Sequence, residues 1–245
     1  MERDSMEFQY NIDHFLEGLE KLEITLSDRQ VNQFIKYYEM LVKKNKVMNL
    51  TAITNFDEVI EKHFLDSLQI AKYVKFSDNM KLIDIGTGAG FPGIPIKIAF
   101  PEIKSVLLDS LNKRINFIQE VVDELKLDDI ILLHGRAEDY GKNPEYRECF
   151  DFCVSRAVAN LSSLSEYCLP FVKTGGWFIP YKSGFIEDEL NHAKNAIFLL
   201  GGKVDRVEHF NLEDAGRSLV FIKKGRVTPR KYPRKAGLPT KEPIS

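Results

Sequence analysis

The segment Leu82-Ile83-Asp84-Ile85-Gly86-Thr87-Gly88-Ala89-Gly90-Phe91-Pro92-Gly93 constrains what this chain can fold into more than any other. A short apolar run with one acid in it empties into four glycines, and a proline suited to the first turn of a helix follows. Each glycine lets the backbone turn or approach a ligand where a Cβ would collide. The free N–H groups of the following helix would face whatever the loop holds. A second apolar run, Val106-Leu107-Leu108, ends in Asp109. That is about the twenty-residue spacing at which an acid reaches ribose hydroxyls in a nucleotide-binding βαβ unit. The pattern predicts a strand–loop–helix site for an adenosine-bearing cofactor.

The surrounding chain supports an α/β architecture. Ile12, Phe15, Leu16, Leu19 and Leu22 recur at helix spacing, and Ser27-Asp28 can cap a second helix carrying Val31, Phe34, Ile35, Tyr38, Leu41 and Val42. A third helix is expected from about Phe56 to Tyr73. From Met80 onward short apolar runs alternate with amphipathic stretches. Strands are predicted at 81–85, 105–109, 130–134, 150–155 and 176–181, with helices at 92–99, 111–126, 161–172 and 185–200. Such alternation implies a parallel sheet covered on both faces. The last two predicted strands, 203–210 and 217–224, are separated only by a turn at Glu213-Asp214-Ala215-Gly216, too short for a parallel crossover, so an antiparallel hairpin is expected. The reading divides the chain into an N-terminal helical extension (1–78), a core domain (79–224) and a C-terminal tail (225–245).

Composition narrows the class. No apolar run approaches the length of a membrane span and no signal-peptide core follows the N-terminal charges, so a cytoplasmic protein is expected. Cys149, Cys153 and Cys168 lack metal-ligand spacing and read as reduced core thiols; no metal site is expected. Between Lys223 and Lys241 there are eight basic residues and no acid, which leaves −10 on the rest of a chain whose net charge is −2. A basic tail on an acidic body is either a solubilising end or a set of phosphate contacts for RNA.

The glycine loop alone would also suit a nicotinamide dinucleotide. Two details favour S-adenosyl-L-methionine: Asp84 lies inside the strand, where a buried carboxylate needs hydrogen bonds, and no basic residue between Gly86 and Ile96 would assist a pyrophosphate.

The motif series is more specific. Asp84 to Gly93, Leu108-Asp109-Ser110-Leu111-Asn112-Lys113-Arg114, Arg136-Ala137-Glu138 and Ser155-Arg156-Ala157-Val158-Ala159 follow in order. Met48-Asn49-Leu50-Thr51-Ala52-Ile53 and His63-Phe64-Leu65-Asp66-Ser67-Leu68 precede them, and Tyr232-Pro233-Arg234-Lys235-Ala236-Gly237 closes the series. Together they resemble the bacterial small-subunit rRNA methyltransferase G family, also called glucose-inhibited division protein B, over nearly the whole chain. The family usually has proline where Ala236 stands.

The resemblance implies a class I S-adenosylmethionine-dependent methyltransferase fold: a Rossmann-like, mostly parallel seven-stranded sheet ending in an antiparallel hairpin. It implies S-adenosyl-L-methionine as cofactor, S-adenosyl-L-homocysteine as product, and N7 methylation of a guanine in 16S rRNA of the small ribosomal subunit. The expected cofactor residues are Asp84, Gly86, Gly88, Phe91, Asp109, Ala137, Glu138 and Arg156. Ala137 and Glu138 would flank the adenine, and Arg156 would stand near cofactor and acceptor. Asn49, His63 and Asp66 would face the mouth of the site, and Arg230, Lys231, Arg234 and Lys235 would contact RNA. The enzyme is expected to act as a monomer, without an obligate protein partner or a membrane.

The sequence is also consistent with proximity catalysis. An Asn/Asp-Pro-Pro-aromatic motif for an exocyclic amine is missing after the fourth strand, where Ser155-Arg156-Ala157-Val158 stands, and no cysteine lies in a loop past a strand. Guanine N7 has an in-plane lone pair and needs alignment rather than a base; Arg156 is the one candidate for a catalytic side chain. An NAD(P)-linked oxidoreductase, or a nucleotide-binding ribosome-assembly factor without catalysis, would share the glycine loop.

Overall fold

The computed structural model describes residues 10–156, 159–212 and 215–245. Residues Ala157, Val158, Glu213 and Asp214, part of the fourth-strand motif and of the expected hairpin turn, lie outside the described residues.

Strand order follows from the alternation of elements. β1 (Lys81–Ile85), β2 (Lys104–Asp109), β3 (Ile130–His134), β4 (Phe150–Arg156) and β5 (Val172–Ser183) pair in parallel, and β7 (Ala215–Lys224) inserts antiparallel between β5 and β6 (Gly202–Leu212). The spatial order is β3-β2-β1-β4-β5-β7-β6, so the chain reverses direction of winding between β1 and β4. Loops beyond the carboxyl ends of these strands are therefore where a ligand crevice opens.

Side chains alternate across the strands and build three buried apolar clusters, of which two flank β2. Leu107 faces the cluster built with α2 (Asp28–Met48), α5 (Gly93–Ala99) and α6 (Asn112–Leu125). Val106 and Leu108 face the opposite cluster with α8 (Leu161–Cys168) and α9 (Glu187–Leu199). The N-terminal helices belong to the first core: Phe15 of α1 (Asp13–Lys21), Phe34 and Tyr37 of α2, and Phe64 are all buried there. Ser27 and Gln30 form a reciprocal capping box that starts α2, and Gln30 Nε2 also donates to the carbonyls of Ile98 and Ala99 at the end of α5. The Tyr37 hydroxyl donates to the Ala89 carbonyl at 2.6 Å. The helical extension is thereby fastened to the glycine loop itself.

Three segments differ from the sequence expectation for local reasons. The helix expected at 56–73 is four consecutive stretches: α3 (Phe56–Val59), a π-helical stretch (Ile60–Leu65), α4 (Asp66–Leu68) and a 3-10 turn (Gln69–Lys72). The α-helix expected at 161–172 stops at Cys168 and tightens to 3-10 over Leu169–Phe171, because Pro170 has no N–H to continue it. β5 begins at Val172 rather than 176; its pairing to β4 shifts register between Phe150 and Phe152, opposite the stretch that carries Gly175 and Gly176. Two short helices, α7 (Ala137–Tyr140) and α10 (Leu238–Lys241), carry too few residues to announce themselves by periodicity.

The C-terminal segment packs against the body. Tyr232 is buried in the second core. Arg234 meets Glu166, which is 0% exposed, with its backbone N–H (2.7 Å), Nε (3.0 Å) and a terminal nitrogen (2.7 Å). The Arg147 guanidinium donates to the carbonyls of Gly141, Tyr232 and Thr228 at 2.7, 2.9 and 2.7 Å. The basic count of this segment therefore overstates its free charge. Lys224 is buried with its Nζ on Leu169 O and Thr228 Oγ1, while Arg230, Lys231 and Lys235 remain exposed.

Candidate functional site

The turn after β1 is built by glycines held in left-handed conformation: Gly86 (φ 71°), Gly88 (φ 64°) and Gly90 (φ 108°). Two carboxylates fix it from below and beside. Asp84, fully buried, accepts at one oxygen from the Thr87 hydroxyl (2.7 Å) and the Gly93 N–H (2.9 Å). A Cβ on Gly93 would stand 2.9 Å from that oxygen, so close approach requires glycine there. Burial pushes the Asp84 carboxyl up to about 7 against these bonds. Asp109, at the end of β2, accepts from the Gly88 N–H and the Leu111 N–H, each at 2.9 Å, with Arg114 at 3.3 Å.

Two cavities open at this edge. The first, of about 310 Å³, is lined by Ile85, Gly86, Leu108, Asp109, Ala137 and Glu138, with Tyr167 and Thr240 completing its wall. Its mixture of apolar side chains and a few converging polar groups is what an adenosine moiety needs. Three donors already sit on Asp109, leaving about one of the four acceptor positions of a carboxylate for a ribose hydroxyl. Glu138 is buried and accepts at Oε1 from the Gly237 N–H at 2.8 Å. The Tyr167 and Thr240 hydroxyls meet at 2.5 Å, and Ser163 Oγ donates to the Pro239 carbonyl at 2.7 Å. The C-terminal segment thus forms part of this cavity. Nothing in the periodicity or spacing of the sequence points to that wall, since it depends on contacts between residues 68 to 99 positions apart.

The second cavity, of about 440 Å³, lies over β4, β5 and β7 and is lined by Ile53, His63, Asp66, Arg156, Tyr181 and Arg217 among others. Arg156 is its hub. One terminal nitrogen donates to Asp66 Oδ2 at 2.8 Å and to the Lys62 carbonyl at 3.2 Å; the other stands 3.3 Å from His63 Nδ1. Its guanidinium also lies 4.9 Å from the centre of the Phe91 ring, on which His63 stacks at 4.6 Å. His63 sits in the π-helical stretch, a local change of helical pitch that re-aims side chains and is frequent at functional sites. Its Nε2 pairs with the Thr51 hydroxyl at 2.8 Å. Burial, reinforced by Arg156, lowers His63 to about 4, so the ring is neutral near pH 7. Burial raises the Asp66 carboxyl while Arg156 and Arg217 oppose the shift. Ser155 Oγ donates to the Ile85 carbonyl at 2.6 Å and ties β4 to β1 between the cavities.

Of the expected cofactor residues, Gly86, Asp109, Ala137 and Glu138 line the first cavity. Asp84 and Gly88 support the loop, and Phe91 underlies Arg156, which itself opens onto the second cavity. His63 and Asp66 share that second cavity, whereas Asn49 is an exposed left-handed C-cap of α2 (φ 49°) outside it. Arg234 is occupied by Glu166 and is not presented as a free phosphate contact. Tyr167, Thr240, Tyr181 and Arg217 are lining residues that the sequence reading did not single out. Cys153 and Cys168 are buried in the core, and the residues described hold no cluster of metal-ligating side chains. No helix among the described residues is long and apolar enough to cross a membrane.

Comparison with known proteins gives the family and the fold. Residues 30–220 match the family model described as rRNA small subunit methyltransferase G. The chain is 51% identical to the ribosomal RNA small subunit methyltransferase G of Lachnoclostridium phytofermentans, covering 94% of this chain and 96% of that protein. It is 52% identical to the protein of the same name from Clostridium tetani, over 90% and 93% of the two chains. Among solved structures the fold is similar to M. jannaschii TYW2 in complex with AdoMet, with TM-score 0.55 and 13% identity over 71% of this chain and 79% of that one. TrmN from Thermus thermophilus gives TM-score 0.51 at 14% identity, covering 67% of this chain and 53% of that one.

Proposed function

The chain belongs to the rRNA small subunit methyltransferase G family, and from that premise we propose that it methylates N7 of one guanine in 16S rRNA, with the cofactor in the first cavity and the target base in the second. It is an rRNA methyltransferase with a Rossmann-like, seven-stranded class I fold. When bound, S-adenosyl-L-methionine supplies an electrophilic methyl group on a sulfonium. The observation that carries the assignment is the pair of cavities at one sheet edge, separated by the β1–β4 junction where the Ser155–Ile85 bond sits.

The residues of the first cavity fit an adenosine: apolar walls from Ile85, Leu108 and Ala137, and carboxylates from Asp109 and Glu138. A dinucleotide is less well served. The first cation after the loop, Lys97, is buried and donates to the Pro101 and Ile103 carbonyls at 2.7 and 2.6 Å, away from any pyrophosphate.

The second cavity supports N7 as acceptor by what its groups can do. His63, neutral near pH 7, does not need to remove a proton, because N7 carries none. Phe91, His63 and Arg156 form a packed stack that orients the base and excludes water. N7 methylation leaves a positive charge on the purine, and Asp66 is a carboxylate within the same cavity to balance it. Alignment then supplies most of the acceleration, on the order of 7–11 kcal/mol. Arg230, Lys231 and Lys235, exposed on the C-terminal segment, are offered as phosphate contacts.

The test is methyl transfer from radiolabelled S-adenosylmethionine to small subunits from a strain lacking the gene, with the modified base mapped by cleavage at 7-methylguanine. Incorporation at a single guanine N7 is expected. Calorimetry with S-adenosylhomocysteine and NADH accompanies it; binding of NADH alone would overturn the reading in favour of an oxidoreductase, and cofactor binding without turnover would favour an assembly factor.

A further inference from the structure

A buried carboxylate oxygen without a hydrogen bond forfeits its hydration with nothing in return, and asks for an explanation. Among the described residues two carboxylate oxygens are in this position, Asp84 Oδ1 and Asp66 Oδ1. Asp84 lies beneath the glycine loop and lines neither cavity. Asp66 lines the second cavity and is 3% exposed. Its other oxygen, Oδ2, takes the Arg156 hydrogen bond at 2.8 Å. Arg217 Nε stands 3.8 Å from Oδ1, too far for a hydrogen bond. The other acid of the cavity is already supplied with donors: Glu189 Oε1 takes the Leu161 N–H and pairs with Lys182 Nζ.

We infer that Asp66 is the group that selects guanine in this cavity, its free oxygen accepting a hydrogen bond from the N1–H and 2-amino edge of the target base. This rests on the N7 reading above and deepens it. The chemistry singles out one base. Guanine presents two adjacent in-plane donors, N1–H and an N2–H, which match the two oxygens of a carboxylate. Adenine and cytosine present one amino donor beside an unprotonated ring nitrogen, which a carboxylate would repel. Uracil presents one N–H between two carbonyls. Oδ1 has no hydrogen bond and Oδ2 only the one from Arg156, so the carboxylate has acceptor positions for both guanine donors once the entering base displaces the side chains that close Oδ1 off from solvent. N7 lies on the opposite edge of the purine from N1 and N2, so a base read in this way leaves N7 unencumbered. Arg156 and Arg217 favour the ionised form of Asp66 against the effect of burial, and in that form the carboxylate accepts rather than donates. A site whose buried polar group is paired only by the right substrate rejects an analogue lacking the donor far more strongly than an apolar pocket does.

The test uses the full chain and small subunits reconstituted with 16S rRNA in which the mapped guanosine is replaced by inosine, which keeps N7, O6 and N1–H but lacks the 2-amino group. The wild-type enzyme is expected to lose tenfold or more in kcat/KM on the inosine substrate. Asp66→Asn is expected to lose at least tenfold on guanosine and to bring the guanosine-to-inosine ratio toward one, with S-adenosylhomocysteine affinity within about twofold of wild type. Equal wild-type rates on guanosine and inosine would overturn the inference. So would an Asp66→Asn enzyme slowed equally on both substrates, since that is the signature of a residue that only positions Arg156. If the variant fails to fold, the wild-type comparison still decides. Failure of the wild type to methylate N7 on unsubstituted RNA is a separate result, and it removes the proposed function rather than the role of Asp66 within it.

Discussion

The two cavities are built in opposite ways. In the first, the carboxylates of Asp109 and Glu138 accept from main-chain N–H groups, of Gly88 and Leu111 in one case and Gly237 in the other. In the second, the charged groups are held by each other: Asp66 by Arg156, and Arg156 by the Lys62 carbonyl and the His63–Phe91 stack. Main-chain donors fix a carboxylate at a set place and leave little to adjust. Long side chains pairing across segments about 90 residues apart leave one oxygen of Asp66 unsatisfied and a site that a ligand completes. On the proposed assignment the cofactor side is preorganised, and the acceptor side is one that a substrate would finish.

The largest test of that contrast removes the segment from Gly225 onward. It takes away Arg234 and leaves the buried Glu166 carboxylate uncompensated, a change worth about 3–5 kcal/mol. Thermal melting of the truncated chain should fall by roughly 6–20 °C. Affinity for S-adenosylhomocysteine should fall with it, because Thr240 and the Gly237 N–H belong to the first cavity. A truncated protein that melts within a few degrees of full length and binds normally would separate the segment from the cofactor site. RNA contacts are better probed by changing exposed Arg230, Lys231 and Lys235 together to Gln. That should leave melting and cofactor affinity alone and make the salt dependence of RNA binding shallower by roughly 2 units.

Gly90→Ala probes the rigidity of the cofactor side. A Cβ there would stand 2.7 Å from both Ile94 Cγ1 and the Tyr37 hydroxyl, on a residue at φ 108°. Left-handed strain and overpacking together cost about 2–5 kcal/mol. Denaturant unfolding reads the stability, and a loss under 1 kcal/mol would show the loop to be more yielding than its contacts imply.

How much of this was legible beforehand follows the same division. Asp84, the glycines and Asp109 lie within one βαβ unit, so linear spacing encodes their geometry, and six of the seven predicted strands begin within two residues of their observed starts because their patterns are equally local. The acceptor side is assembled from the 56–72 helical segment, β4, β5 and β7, and no spacing rule links residues so far apart. The π-helical stretch that carries His63 also has no signature in a 3.6-residue pattern. The C-terminal wall is misleading in sequence because charge composition says nothing of partners: Arg234 reads as a phosphate contact, yet its guanidinium is held by Glu166.

Asp109→Ala should lower affinity for S-adenosylhomocysteine by tenfold or more in calorimetry. One charge-assisted bond to a ribose hydroxyl contributes roughly 1.5–3 kcal/mol, and the Gly88 and Leu111 N–H groups lose their acceptor as well. Unchanged affinity in a folded variant would remove Asp109 from the cofactor site.

The smallest effect at neutral pH belongs to His63→Gln, and its pH dependence is the sharper measurement. At pH 7.5 the variant loses the stack on Phe91, worth about 0.5–1.5 kcal/mol. Below that pH the two proteins diverge in a fixed direction. His63 titrates at about 4 in the folded chain and near its ordinary 6.5 when unfolded, because burial and Arg156 both disfavour the imidazolium. Between those values the unfolded chain binds a proton that the folded one does not, so the wild type loses stability as pH falls from about 6.5 to about 4. The glutamine variant has no such group. The stability gap should therefore be constant above pH 6.5, narrow steadily toward pH 4, and can reverse sign there. Melting the two proteins side by side across that range reads the outcome directly. A gap that stays flat would mean that His63 is as easily protonated in the folded chain as in water, and that the second cavity is wetter and looser than its packed Phe91–His63–Arg156 stack implies.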